Sequence, residues 1–163
     1  MNRPPAAPTP ADQQRLALLI EAEAIQLGEF VALLEREEAL LTAGDTDALL
    51  ALTQDKNERY RRLQRLSDDR ALLLGRLGRV SSDTTLRELL ADLPRVLARW
   101  DEVIGLARQA GERNAINGKL ILERMAHNQA ALSVLLAAAD QPPLYDAEGH
   151  TRAVGGGRML GSA

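Results

Sequence analysis

Between Arg95 and Ala139 one helical face stays readable for about 45 positions, and few folds can use a repeat of that length. Val96, Trp100, Val103, Ala107, Ala110, Asn114, Asn117, Ile121, Met125, Asn128, Leu132, Leu135 and Ala139 fall on a single stripe at the helical period. At 1.5 Å per residue the helix would be roughly 68 Å long. With no internal caps, it reads as a coiled-coil arm packed along another helical element. Gly111 and Gly118 each cost about 1 kcal/mol relative to Ala there, which marks them as places of close helix approach.

The preceding sequence supplies such an element. Thr9 is placed as an N-cap, with Pro10 at the first helical position and Asp12 three residues on, the spacing of a capping box. Ile20, Leu27, Leu34 and Leu41 then recur every seven residues, with Ala24 and Val31 between them, until Gly44 supplies the stop. Asp45 caps a second helix whose seam reads Leu49, Leu52, Lys56, Arg59, Leu63, Leu66, Arg70, Leu73 and Leu77. A Gly44-Asp45 break is long enough only for an antiparallel return, so the two form a hairpin. Charge agrees: residues 12–47 carry nine acids against Arg15 and Arg36, and residues 56–79 carry eight bases against three acids. Such pairs are worth about 0–1 kcal/mol each when exposed, and mostly select orientation and partner.

Gly75, Gly78, Ser81 and Ser82 interrupt the pattern. A short helix is expected from about Asp83 to Leu93, with Thr85 and Glu88 spaced as a capping box, and Pro94 then ends it or opens the long one. Residues 1–8 are Pro/Ala-rich and expected to be disordered; residues 140–163, with Pro142, Pro143 and five glycines, form a flexible tail. The fold class is therefore all-α: an antiparallel helical hairpin, a short helix and a long C-terminal helix in an elongated coiled-coil-like bundle over 9–139. Aromatics at 2% and a Leu/Ala-rich apolar content support helix over sheet.

Several functions are excluded or disfavoured. No cysteine is present, and His127 and His150 stand far apart, so neither thiolate chemistry nor a histidine metal cluster is indicated, and no cofactor is expected. The basic run lacks interleaved aromatics, which argues against nucleic acid. No apolar run approaches the roughly 18 residues of a membrane span, and MNRPPAAPTP lacks a signal-peptide core; the expected location is the cytoplasm, without membrane insertion. Such a composition offers no candidate pocket, nucleophile-base pair or phosphate loop, so an enzyme is not expected.

Two features of the long helix point to a partner. Asn114, Asn117 and Asn128 lie within about 60° of one another on the stripe itself. Seam amides fix register, because every misaligned pairing leaves one unsatisfied; with Gly118 beside them, a contact point for a partner is the alternative, and the two roles are compatible. Ile116, Leu120, Ala131, Val134 and Ala138 form a second apolar face roughly 100–160° from the first. One hairpin cannot cover both, so the second face is a binding surface for another helix, from a second copy or from a different protein. On the residues alone a homo-oligomer is the simpler assembly, and a self-associating coiled-coil structural or adaptor protein is the competing class.

The stretch "RNAINGKLILERMAHNQAALSVL" followed by "PPLYDAEGHT" resembles the C-terminal half of the flagellar chaperone family FlgN. The resemblance spans about residues 12–151 and is most specific over 113–151. It carries Asn114, Asn117, Gly118, Asn128 and Gln129 as the helix motif, and Leu144, Tyr145 and Gly149 as the tail motif; Asp146 departs from the family's Gly after the Tyr. It implies a cytoplasmic type III export chaperone that holds the C-terminal helices of hook-filament junction (hook-associated) proteins, prevents their premature assembly and delivers them to the export gate. The tail residues, Tyr145 above all, would dock on the gate component FlhA.

Overall fold

The structure, a computed structural model, describes residues 7–139. Among the described residues there are four helices and no strand: α1 (Pro10–Ala43), α2 (Thr46–Arg76), α3 (Asp83–Leu89) and α4 (Pro94–Ala139). The chain divides into two compact units, Met1–Leu122 and Glu123–Ala163, and α4 contributes residues to both.

Local chemistry sets the helix ends. Thr9 and Asp12 form the expected capping box: the Asp12 amide donates to the Thr9 hydroxyl at 3.2 Å, and the Thr9 amide donates to the Asp12 carboxylate at 3.0 Å. Gly44 ends α1 at φ 76°, a left-handed conformation that a Cβ would penalise, and its amide donates to Leu40 O. Asp45 accepts from the Ala48 amide and starts α2 at once. At the far end, Gly78 takes φ 68°. The third cap differs from expectation. Ser82, not Thr85, is the N-cap of α3, and its hydroxyl accepts from the Thr85 amide and donates to the Thr85 hydroxyl. With that bond made, Thr85 lies inside the first turn.

α1 and α2 pack antiparallel, and ion pairs set the register. Glu23 accepts from Arg70 at 3.1 Å, Glu29 pairs with Arg59, and Glu37 accepts from Lys56 at 2.8 and 3.1 Å, numbers rising on α1 as they fall on α2. Beneath them Ile20, Ala24, Val31, Leu34 and Leu41 of the α1 heptads are buried, Ile20 and Leu34 fully, while Leu27 is half-buried. α4 runs parallel to α1: Glu21 pairs with Arg99, Glu35 and Glu38 with Arg113, and Asn117 bonds to Leu34 and Glu37.

Two clusters make the core. One joins Leu16, Ile20 and Ala24 of α1 with Leu73 and Leu74 of α2, Leu86 and Leu90 around α3, and Trp100 and Val103 of α4. The other joins Phe30, Val31 and Leu34 with Ala110. Each fully enclosed Leu or Ile contributes about 1.5–3 kcal/mol of transfer free energy. α3 is pinned by the Trp100 indole N–H, which donates to Asp83 at 2.7 Å, while the Arg70 guanidinium sits 4.8 Å from the Trp100 ring centroid.

α2 and α4 each pack on α1, yet a cleft of about 710 Å³ stays open between them. The reason is on α2, where Asn57, Tyr60, Gln64 and Ser67 share the face turned toward α4, so no apolar seam can close there. This corrects the expectation that such a chain has no pocket.

Asn117→Ala should lower stability by roughly 1–3 kcal/mol in thermal or urea unfolding, because two buried acceptors, Leu34 O and the Glu37 carboxylate, each lose one donor. The Trp100 indole, and then Arg87, hold the Asp83 carboxyl below its ordinary value of 3.8. A carboxyl depressed by folding stabilises above its unfolded pKa and loses that contribution as pH falls through its folded value. The stability difference between the protein and Asp83→Asn should therefore be constant above about pH 5 and shrink below pH 3.8.

Candidate partner-binding site

The three stripe asparagines separate. Asn117 is 1% exposed; its Nδ2 donates to Leu34 O at 2.9 Å and to the Glu37 carboxylate at 2.7 Å. The same carboxylate takes the Lys56 ammonium, so one acid joins α1, α2 and α4. Asn117 is thus a register residue, and only one helical position satisfies both its bonds. Asn114, one turn earlier, is exposed and lines the cleft. Asn128 and Gln129 are exposed, and Gln129 O accepts from Ser133. Gly118 is half-buried, and a Cβ there would meet nothing within 4 Å, as at Gly111; the close approach expected at these glycines is not made among the described residues.

The second apolar face is found in the following state. Ile116 is 47% exposed, Leu120 half-buried, Val134 69% exposed, and Ala131 and Ala138 exposed. The first face is where the sequence expectation fails. Ile121, Met125, Leu132 and Leu135, placed on the packed stripe by spacing, are exposed, Met125 at 63% and Leu135 at 67%. The last buried stripe residue is Asn117, and every residue from Ile121 to Ala139 is exposed. Periodicity reports which residues share a face; it does not report whether anything lies against that face. The end of α4 is therefore apolar on more than one side, and residues 128–139 carry no charge.

The electrostatics of the first unit are those of a seam. Burial pushes the Glu23 carboxyl above the ordinary carboxylate range, opposed by Arg70. Hydrogen bonding to Arg99 lowers that of Glu21. Among the described residues no three acids or histidines are grouped to hold a metal ion, and no helix is long and apolar enough to cross a membrane. Leu144, Tyr145 and Gly149, with the tail expected over 140–163 and most of the N-terminal segment, lie outside the described residues.

What the sequence reading missed is the partner of Asn117. Glu37 and Lys56 were legible only as members of opposite charge runs; the sum of their numbers matches that of Glu23 and Arg70, and that common sum was the available signal for a shared register. The cleft between α2 and α4 was missed as well, although the polar spacing of Asn57, Tyr60, Gln64 and Ser67 could have announced it.

No curated protein and no solved structure matches the chain. A family model does, that of FlgN protein, and it aligns with residues 12–153, which include both core clusters and the whole of α4. A hairpin clamped to a long helix by buried Glu37 and Asn117, with that helix exposed and apolar toward its end, is thus the architecture of a member of the FlgN family of flagellar export chaperones, to which this chain belongs.

Proposed function

We propose that the protein holds the C-terminal, helix-forming segments of hook-filament junction proteins, prevents their premature assembly and delivers them to the export gate. The observation that carries this reading is the exposed apolar end of α4, where Leu132, Val134, Leu135 and Leu136 are each at least half exposed without a charge among them. A surface of this kind is costly in water and is the form a helix-in-groove or coiled-coil partner requires. A client that polymerises through amphipathic helices would be shielded by laying its own apolar side against this end, with Ile116, Leu120, Ala131, Val134 and Ala138 extending the contact along α4. Release at the gate calls for moderate affinity, and a client segment that orders on binding gives up conformational entropy, which supplies it.

Leu144, Tyr145 and Gly149 are proposed to dock on the cytoplasmic domain of FlhA, with Tyr145 as the aromatic anchor. Self-association through the α4 end is the second reading, favoured by the same exposed apolar residues. The two differ in what the pure protein does alone.

Leu132→Asp with Val134→Asp should abolish binding of a junction-protein C-terminal peptide in titration calorimetry while leaving helical circular dichroism unchanged, since both side chains are exposed. Retained binding would discard this site. A tight oligomer in light scattering that ignores the peptide would support self-association. Tyr145→Ala should keep peptide binding and reduce secretion of the junction protein; undiminished secretion would remove the docking role.

A further inference from the structure

Two residues of the α4 helix motif, Asn128 and Gln129, stand exposed in the second unit, outside the apolar client surface. From Met125 to Ala139 the chain has no Asp, Glu, Lys or Arg, and its polar residues there are His127, Asn128, Gln129 and Ser133. Ser133 donates its hydroxyl to Gln129 O inside the helix, so its proton is spent. The other three are consecutive, each about 100° round from the last, and they occupy about 3 Å of helix height. They form a polar belt on an otherwise apolar rod, with Met125 before it and Leu132, Val134, Leu135 and Leu136 after it, all at least half exposed.

Within the belt Asn128 alone falls on a seam. Met125, Asn128, Leu132, Leu135 and Ala139 alternate spacings of three and four, as in a coiled coil, while His127 and Gln129 lie about 100° to either side. A helix laid along this seam takes the Asn128 amide out of water together with the leucines. Its oxygen must then accept and its nitrogen donate, and leaving either unmet is costly. Asn117 shows what such a group asks for: enclosed, its nitrogen is met by Leu34 O at 2.9 Å and by the Glu37 carboxylate at 2.7 Å. Across the Asn128 seam the reply must come from the helix that covers it. A carboxylate only accepts and an ammonium only donates, and either would bring charge into fifteen residues that hold no acid, Lys or Arg to balance it. A carboxamide accepts and donates at once and carries no charge.

We infer that Asn128 sets the register of the client: the segment held on α4 is a heptad helix, uncharged on the side it buries, with one Asn or Gln in its seam that pairs with Asn128. This rests on the client surface proposed above and adds to it which helix is taken and where along α4 it stops sliding. Leu132, Leu135 and the small neighbours Ala131, Ala138 and Ala139 accept any apolar side chain, so without the amide a client shifted by one heptad would bury nearly as much. With the amide, the same shift sets an apolar side chain against Asn128 and the client's own carboxamide against an apolar layer such as Leu135. Both amides are then unmet.

The test uses the full chain and two synthetic helical peptides of about 21 residues, three heptads, with the same Leu seam and uncharged flanks, one carrying Asn and one Leu at the central seam position. In fluorescence anisotropy the ratio of affinities, Asn peptide over Leu peptide, should be at least about tenfold larger for the protein than for Asn128→Leu. Helical circular dichroism should be the same for both proteins, since Asn128 is exposed. Register is read by disulfide formation, because the chain has no cysteine of its own. With Ala131→Cys, and a Cys moved through three peptide positions a heptad apart, the Asn peptide should cross-link at one position; the Leu peptide on the same protein carrying Asn128→Leu should cross-link at all three. An unchanged ratio, or cross-linking of the Asn peptide at all three positions, would overturn the register role and leave the client surface standing. Leu132→Asp with Val134→Asp should release both peptides; a double variant that still binds them would overturn the client surface and this inference with it. A protein whose mass doubles with concentration, shedding both peptides as it does so, would overturn the inference by pairing Asn128 with its counterpart in a second copy.

Discussion

A carboxylate enclosed among helices must find donors from more than one direction, and at Glu37 it finds them on two other helices. Lys56 approaches from α2 and Asn117 from α4, while Leu34 O of the same α1 turn takes the second proton of the Asn117 amide. Burying an ion pair is expensive unless its geometry is good and its remaining lone pairs are met, so a slide of either helix by one turn would leave charge uncovered. Leu and Ala seams alone would tolerate such slides, because one apolar contact is much like the next. The polar knot therefore selects a single register among apolar packings of similar energy. Glu23 with Arg70 repeats the device near the other end of α1, and there the cation also lies over Trp100.

Once register is set, the open cleft and the exposed end of α4 are consequences of composition. α2 turns Asn57, Tyr60, Gln64 and Ser67 toward α4, and these residues gain little from leaving water. α4 turns small residues back, so the two helices meet α1 and stop short of each other. From Ile121 onward α4 keeps its leucines and loses its neighbours. A chain built only for stability would place those leucines against something, and the client surface proposed for them accounts for their being left open.

Much of this was legible before any coordinates. Thr9, Asp12, Gly44 and Asp45 mark helix ends through bonds made within three or four residues, and such local chemistry survives any tertiary arrangement. Heptads at Ile20, Leu27, Leu34 and Leu41, and opposite charge on consecutive helices, implied the hairpin. The errors share a cause. Thr85 lost the cap to Ser82 because two hydroxyls lay within reach of one helix start. Met125 and Leu135 were assigned to a packed stripe because spacing is blind to the presence of a neighbour. Among the asparagines, sequence gave equal standing to three that the fold treats differently, since only the one level with Glu37 and Leu34 O could be enclosed.

Gly111 and Gly118 leave a last consequence. Both sit in the interior of α4 with no neighbour that demands the absence of a side chain, and each gives up about 1 kcal/mol of helix propensity. Between them, Arg113 pairs with Glu35 and Glu38, and Asn117 bonds to Leu34 and Glu37, so the stretch weakest in helix propensity is the one most tied to α1. Those bonds, more than intrinsic propensity, keep these turns closed. Regularity there is borrowed from the neighbouring helix and not built into the sequence.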